Sequence, residues 1–240
     1  MRAVRLSFYQ MLLSMRRDMM LFAACLVPIL AGLLFRFGIP FLESALTDWF
    51  QVPAVLSPYY VLIDVSFAML SPTMFCFVSA MVALEENDEK TAKYLFITPL
   101  GKLGYLTARF GIPSAAAFLV TAVLLPVFKL APHTFSDIVL LAAGGTLQGI
   151  MIALLIVTIS SNKLVGMAVT KLSVLVIFGV VVPFFIKGNV QYVLSPLPSF
   201  WIGKAMSENA LFYMLPAFLL SLAWIFILLK RYLLFPKQVA

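Results

Sequence analysis

The 240-residue chain is 63% hydrophobic and 11% charged, with a mean hydropathy of +1.06. That excludes an ordinary soluble domain and points to an integral membrane protein. The net charge of +7 does not signal nucleic acid, because the basic residues border apolar runs and never gather into one patch.

The first eighteen residues hold Arg2, Arg5, Arg16 and Arg17 and no clean apolar block ahead of a small-residue cleavage site. The first span is therefore expected to remain in the mature protein. Within this stretch Val4, Phe8, Met11 and Met15 recur at helical spacing, while Arg2, Gln10, Ser14 and Arg17 fall on the other half of the wheel. The spacing predicts an amphipathic helix over residues 1–18 lying along the membrane face, with Leu6 and Leu13 misplaced on its polar side.

Apolar stretches of about 17–25 residues, enough to cross a bilayer, fall near Met19–Phe37, Tyr59–Leu84, Leu106–Leu130, Ile138–Ser160, Leu164–Ile186 and Leu211–Leu229. The fold class is thus all-α, a six-span polytopic protein forming one domain over residues 1–240, with both termini on one side. Arg36, Lys129, Lys187 and Lys204 fall on the other side, leaving 13 of the 17 lysines and arginines with the termini. The positive-inside rule then places the termini in the cytoplasm. Cys25 and Cys76 lie in apolar runs and read as packing, not as a disulfide or thiolate site.

Asp64 is the one acid well inside a span, and an intramembrane carboxylate marks a functional hypothesis. Its place near the outer end of the second span fits either the transport path or a local structural role. Met69, Met74 and Met81 on the same span would give a path a soft lining, or simply pack. His133, the only histidine, sits in a short outer turn without a second metal ligand and reads as solvated. No catalytic or metal-binding set is present in the sequence. Gly145 and Gly149 in the fourth span allow a close helix approach, inside the chain or at a dimer seam.

Between spans two and three lies the most charged run, residues 85–102. Acids come first (Glu85, Glu86, Asp88, Glu89), then Lys90 and Lys93, then Tyr94, Leu95, Phe96 and Ile97, then Thr98 and Pro99. Glu86–Lys90 and Glu89–Lys93 are i, i+4 pairs, acids suit a helix start, and Pro99 stops it, so a short cytoplasmic helix is predicted. Its apolar end needs a partner, either lipid or another protein.

The run Thr98-Pro99-Leu100-Gly101-Lys102, with Tyr105, Leu106 and Arg109 after it, resembles the corresponding segment of ABC type-2 exporter permeases. The N-terminal segment resembles their elbow helix. "SSNKLVGMAVTK" at 160–171 resembles their junction between spans four and five, and "SPLPSFWIGKAM" at 195–206 their outer segment before the last span. Where many members carry Gly-Thr, this chain has Lys90-Thr91. The whole chain looks similar to drug-export members, including fluoroquinolone-type systems.

The resemblance implies a coupling helix docked on a separate ATPase, with Glu86, Glu89, Lys90, Tyr94, Leu95, Thr98, Pro99 and Lys102 as contacts. It implies short re-entrant helices over 187–210, carrying Pro196, Pro198 and Trp201. It also implies two ATPase copies using ATP and Mg²⁺, a second permease half, and drug-like, peptide or lipid cargo exported across a bacterial-type cytoplasmic membrane. This chain binds no cofactor on that reading, and Gly101-Lys102 and Gly203-Lys204 lack the Ser or Thr of a Walker A loop. The alternative is an ion-coupled secondary transporter that uses Asp64.

Overall fold

A computed structural model describes residues 2–234, so Lys237 of the charge count lies outside the described residues. All regular structure among them is helical. Six helices are long and apolar enough to cross a membrane: Met19–Phe50, Ser57–Asp88, Gly101–Phe128, Phe135–Ile159, Lys163–Phe185 and Leu211–Leu233. The chain is an integral membrane protein.

Spans two and four form the centre. Their most apolar windows are 78% and 67% buried, against 17% to 33% for the other four. Pro72 lacks an N–H, so the carbonyl of Ala68 in span two has no i+4 backbone donor. Gly145 of span four packs against that carbonyl, where an added Cβ would stand 2.1 Å from the oxygen. One turn on, a Cβ at Gly149 would stand 3.1 Å from both the Pro72 carbonyl oxygen and the Cys76 sulfur. The glycine pair therefore serves packing inside the chain.

Several expected boundaries move, two of them with physical consequences. Span one continues past Phe37 through a π-helical turn at Leu34–Gly38 and then Ile39–Phe50. At about 1.5 Å per residue its 32 residues outrun a hydrocarbon layer of about 30 Å. Hydropathy missed this end because Glu43 and Asp48 are polar, yet Glu43 is what secures it. Its carboxylate accepts the backbone N–H groups of Val55 and Ser57 at 3.0 and 3.3 Å and the Ser57 hydroxyl at 2.8 Å.

The second correction concerns the acidic run. Span two is helical through Asp88, so Glu85, Glu86 and Asp88 close that helix instead of opening the next one. Lys90 takes a left-handed φ of 59°, and the short helix is only Thr91–Ile97. Acids at a helix C-terminus oppose the helix dipole; cations brought in from other spans offset them. Thr98 is extended ahead of Pro99, as the proline ring requires, and Gly101 accepts a φ of 63° at low cost.

The N-terminal helix Arg2–Arg17 ends at Asp18, whose carboxylate caps span one by accepting the Met20 and Leu21 N–H groups. Met11 is buried in the core of the bundle, with Phe8 and Met15 packed beside it. Leu6 and Leu13 face outward. The helix thus presents apolar side chains both to the bundle and to its surroundings, and its outer face is less polar than the periodicity suggested.

Candidate functional site

At the end of span two nearest the N-terminal helix, Glu86 meets a cation from span three. Arg109 is 1% exposed and grips both carboxylate oxygens: Nε donates to Oε2 at 2.8 Å, and Nη2 donates to Oε1. The Tyr105 hydroxyl adds a third bond to Oε2 at 2.9 Å. Arg109 Nη1 also donates to the Ser7 carbonyl of the N-terminal helix at 2.8 Å. One planar guanidinium therefore joins the N-terminal helix, span two and span three, which the point charge of a lysine would not do in the same way.

The short helix hangs from the same group. Thr91 donates its hydroxyl to the Glu86 carbonyl at 3.0 Å, and the Phe96 ring meets the Tyr105 ring edge-on with centroids 5.0 Å apart. Its other side is open: Tyr94 is 68% exposed and Ile97 is 83% exposed. Thr98, Pro99, Lys102 and Leu103 continue that surface, and Glu89 and Lys90 stand exposed at its start. Leu95 is half-buried. Of the expected contacts, Glu86 alone is turned into the bundle. Ile97 and Leu103 add to the open apolar surface, and their positions beside Pro99 were the only hint in the sequence.

A second cation closes the same end. Lys163, at the start of span five, donates through Nζ to Asp18 at 2.7 Å and Glu85 at 2.9 Å, while its backbone N–H bonds Asp88 at 2.9 Å. The Lys163 ammonium holds the Asp18 carboxyl below its ordinary pKa, against the opposing effect of burial. Asn162 caps span five through the Val165 N–H, and Gly166 lies so close to span two that a Cβ would stand 2.4 Å from Leu84. These contacts give the Asn162-Lys163-x-x-Gly166 string its physical content.

The opposite end of the bundle is arranged differently. Asp64 is buried and accepts the Leu130 and Ala131 N–H groups at 2.9 and 2.8 Å. His133 Nε2 lies 3.0 Å from the Asp64 carboxylate, with side chains 4% and 3% exposed respectively. His133 is therefore not the solvated turn residue expected. The free N–H groups just past span three draw the carboxylate in, and the turn folds the imidazole over it. Met69 is wholly buried in the apolar cluster at this end and Met74 half-buried.

Before span six, a 3₁₀ turn at Asn189–Leu194 precedes the helix Pro198–Ser207. Trp201 donates to the Ser195 carbonyl at 2.8 Å, and Trp224 of span six donates to the Pro196 carbonyl at 3.1 Å. Lys204 is buried, its ammonium 4.2 Å from the Tyr192 ring centroid and 5.0 Å from that of Tyr213. Such cation–π contacts, with Tyr192 accepting a hydrogen bond, are what make a buried lysine tolerable here.

The family described as "Fluoroquinolones export permease protein Rv2686c-like" matches residues 11–229 of the chain. Two similar proteins are the fluoroquinolones export permease proteins MT2760 and Rv2686c, from Mycobacterium tuberculosis strains CDC 1551 / Oshkosh and ATCC 25618 / H37Rv. Each is 25% identical over 186 residues, which is 72% of this chain and 72% of the relative. No solved structure gives a significant match.

Proposed function

The chain belongs to the Rv2686c-like family of fluoroquinolones export permeases, and from that premise we propose that it is the non-catalytic permease of an ATP-driven efflux complex. A separate ATPase chain, in two copies, binds ATP and Mg²⁺. This permease supplies half of the pathway, and a second copy or a related permease supplies the other half. The termini and the short helix face the cytoplasm, in keeping with the distribution of lysine and arginine.

The observation that carries this reading is the pairing of an open apolar surface with a buried anchor. Tyr94, Ile97, Pro99 and Leu103 are exposed on one cytoplasmic loop. Exposed aromatic and aliphatic side chains on a fixed helix suit a protein groove better than water. The same loop is tied through Phe96, Tyr105 and Glu86 to Arg109, and so to three transmembrane or interfacial helices. A push on Tyr94 and Leu95 from an ATPase closing around ATP would reach the spans through that tie and rock the bundle between its openings.

In this scheme Glu89, Lys90, Thr98 and Lys102 orient the docked helix, while Glu86 holds the joint from behind. The N-terminal helix rides on the inner leaflet as an elbow, and the segment 187–210 with Pro196, Pro198 and Trp201 forms the outer lip. The cargo is an amphipathic drug-like solute of the fluoroquinolone kind, by analogy with the named relatives. The test is ATP-dependent uptake of a fluorescent fluoroquinolone into inverted vesicles. Wild type should accumulate it; Tyr94→Ala and Leu95→Ala, at equal membrane abundance, should lose most of that uptake. Uptake that needs a proton gradient and no ATP would contradict the scheme.

A further inference from the structure

The buried apolar core falls into two clusters along the bundle. The outer apolar cluster draws on Val65 and Met69 of span two, Leu141 of span four and Ala217 of span six; the inner cluster draws on Cys76 and Met81, Met151 and Ile156, and Leu228 of the same spans. Between them lies a layer of buried polar side chains: Ser71, Thr73, Thr121, Thr146, Gln148 and Ser221.

Every hydroxyl in that layer has a partner. Ser71 and Thr121 bond each other across spans two and three at 2.9 Å. Thr73, Thr146 and Ser221 each donate to a carbonyl one turn back in their own helix, at 2.7, 2.7 and 2.8 Å. Gln148 differs from all of them. It is 0% exposed, and neither its amide nitrogen nor its amide oxygen has a hydrogen-bond partner.

The helix geometry places Gln148 at a junction. Gly144 faces Ile202 of the outer helix and Phe218 of span six, whereas Gly145 and Gly149 face Ala68, Pro72 and Cys76 of span two. At about 100° per residue, Gln148 falls on span four between these two faces. A primary amide has two N–H donors and a two-lone-pair acceptor, and sealing all of them away from partners is unfavourable. The glycines beside it bring the neighbouring elements close on both faces, which seals the amide in this arrangement.

We infer that Gln148 is a positioning residue for export: its unpartnered amide biases the bundle away from this sealed arrangement, toward one in which spans two, four and six part and the amide meets water or solute. This rests on the exporter reading, and it makes the polar layer the plane along which the two apolar clusters shift. Replacing a sealed, unpartnered amide by an apolar side chain of similar size removes the penalty without opening a cavity.

The test compares wild type with Gln148→Met and Gln148→Leu in the complete transport complex. The apolar variants should melt a few degrees higher in detergent, and export kcat should fall roughly tenfold with KM within twofold, because the sealed state is now favoured. Variants that melt at or below wild type, fail to fold, or export at the wild-type kcat would overturn the inference. A raised KM with unchanged kcat would also overturn it, since that marks a binding contact. Wild type in the same vesicles separates the two readings: no ATP-driven export there would defeat the exporter proposal, while the melting comparison still judges Gln148.

Discussion

The two ends of the bundle use buried charge for different purposes. At the end that holds Asp64, charges are pinned to one turn or to rings: Asp64 to the Leu130–His133 turn, and Lys204 to Tyr192, Tyr213 and Glu208. At the end that holds the N-terminal helix, Arg109 reaches back to Ser7 and Glu86, and Lys163 to Asp18 and Glu85. The first pattern fastens a side chain to one turn or a pair of rings; the second gathers the N-terminal helix and spans one, two, three and five into one joint. The second also carries a loop on which Tyr94, Ile97 and Leu103 are exposed.

The comparison breaks most readily at Arg109. Arg109→Met leaves the Glu86 carboxylate with only the Tyr105 hydroxyl and takes the guanidinium from the Ser7 carbonyl, and losing one partner of a buried pair costs about 3–5 kcal/mol. The variant should lose membrane abundance and thermal stability, and Arg109→Lys should rescue only part because it cannot reproduce the forked contact. Thermal unfolding in mild detergent, with glycosylation-free membrane quantification, checks both. Full stability of Arg109→Met would dissolve the distinction between the ends.

A smaller effect sharpens it from the other side. Asp64→Asn keeps the size of the side chain but weakens bonds to two N–H groups and the imidazole, at about 1–3 kcal/mol. Stability should fall, while ATP-driven uptake per folded molecule stays near wild type. Uptake abolished in a well-folded Asp64→Asn protein would instead favour a path role for the carboxylate.

The smallest effect is acid sensitivity at Asp18. Its folded pKa is depressed by Lys163, so the pair's contribution is present above the unfolded carboxylate pKa and disappears as pH falls through the lower folded value. For a partly exposed pair this amounts to under about 1 kcal/mol. Between pH 5 and pH 3 the wild type should lose slightly more stability than Asp18→Asn; identical slopes would remove Asp18 from the joint.

The sequence made some of this legible and concealed the rest for physical reasons. Span number followed from hydropathy, and Pro99 marked the end of the short helix correctly because a proline restricts the residue before it. The start of that helix was misplaced, since Glu85, Glu86 and Asp88 look like an N-terminal acidic run until Arg109 and Lys163 arrive from spans three and five. Tertiary cations override the helix dipole there. His133 was misread for the same kind of reason: its partner Asp64 lies 69 residues away in sequence. Gln148 carried no signal at all, because only the packing around it reveals that its amide is unpartnered.

The central claim is that the open surface of the Thr91–Ile97 helix is where an ATPase docks. The most direct measurement is extraction of the tagged permease from native membranes in mild detergent, with mass spectrometry of the proteins that accompany it, for wild type and for Tyr94→Ala/Pro99→Ala. The account predicts that a Walker-motif ATPase accompanies the wild type and is lost from the variant, whose own unfolding temperature is unchanged because both side chains are exposed. An ATPase retained at the wild-type level by the variant, or absent from the wild type under conditions that keep other membrane complexes whole, would contradict it.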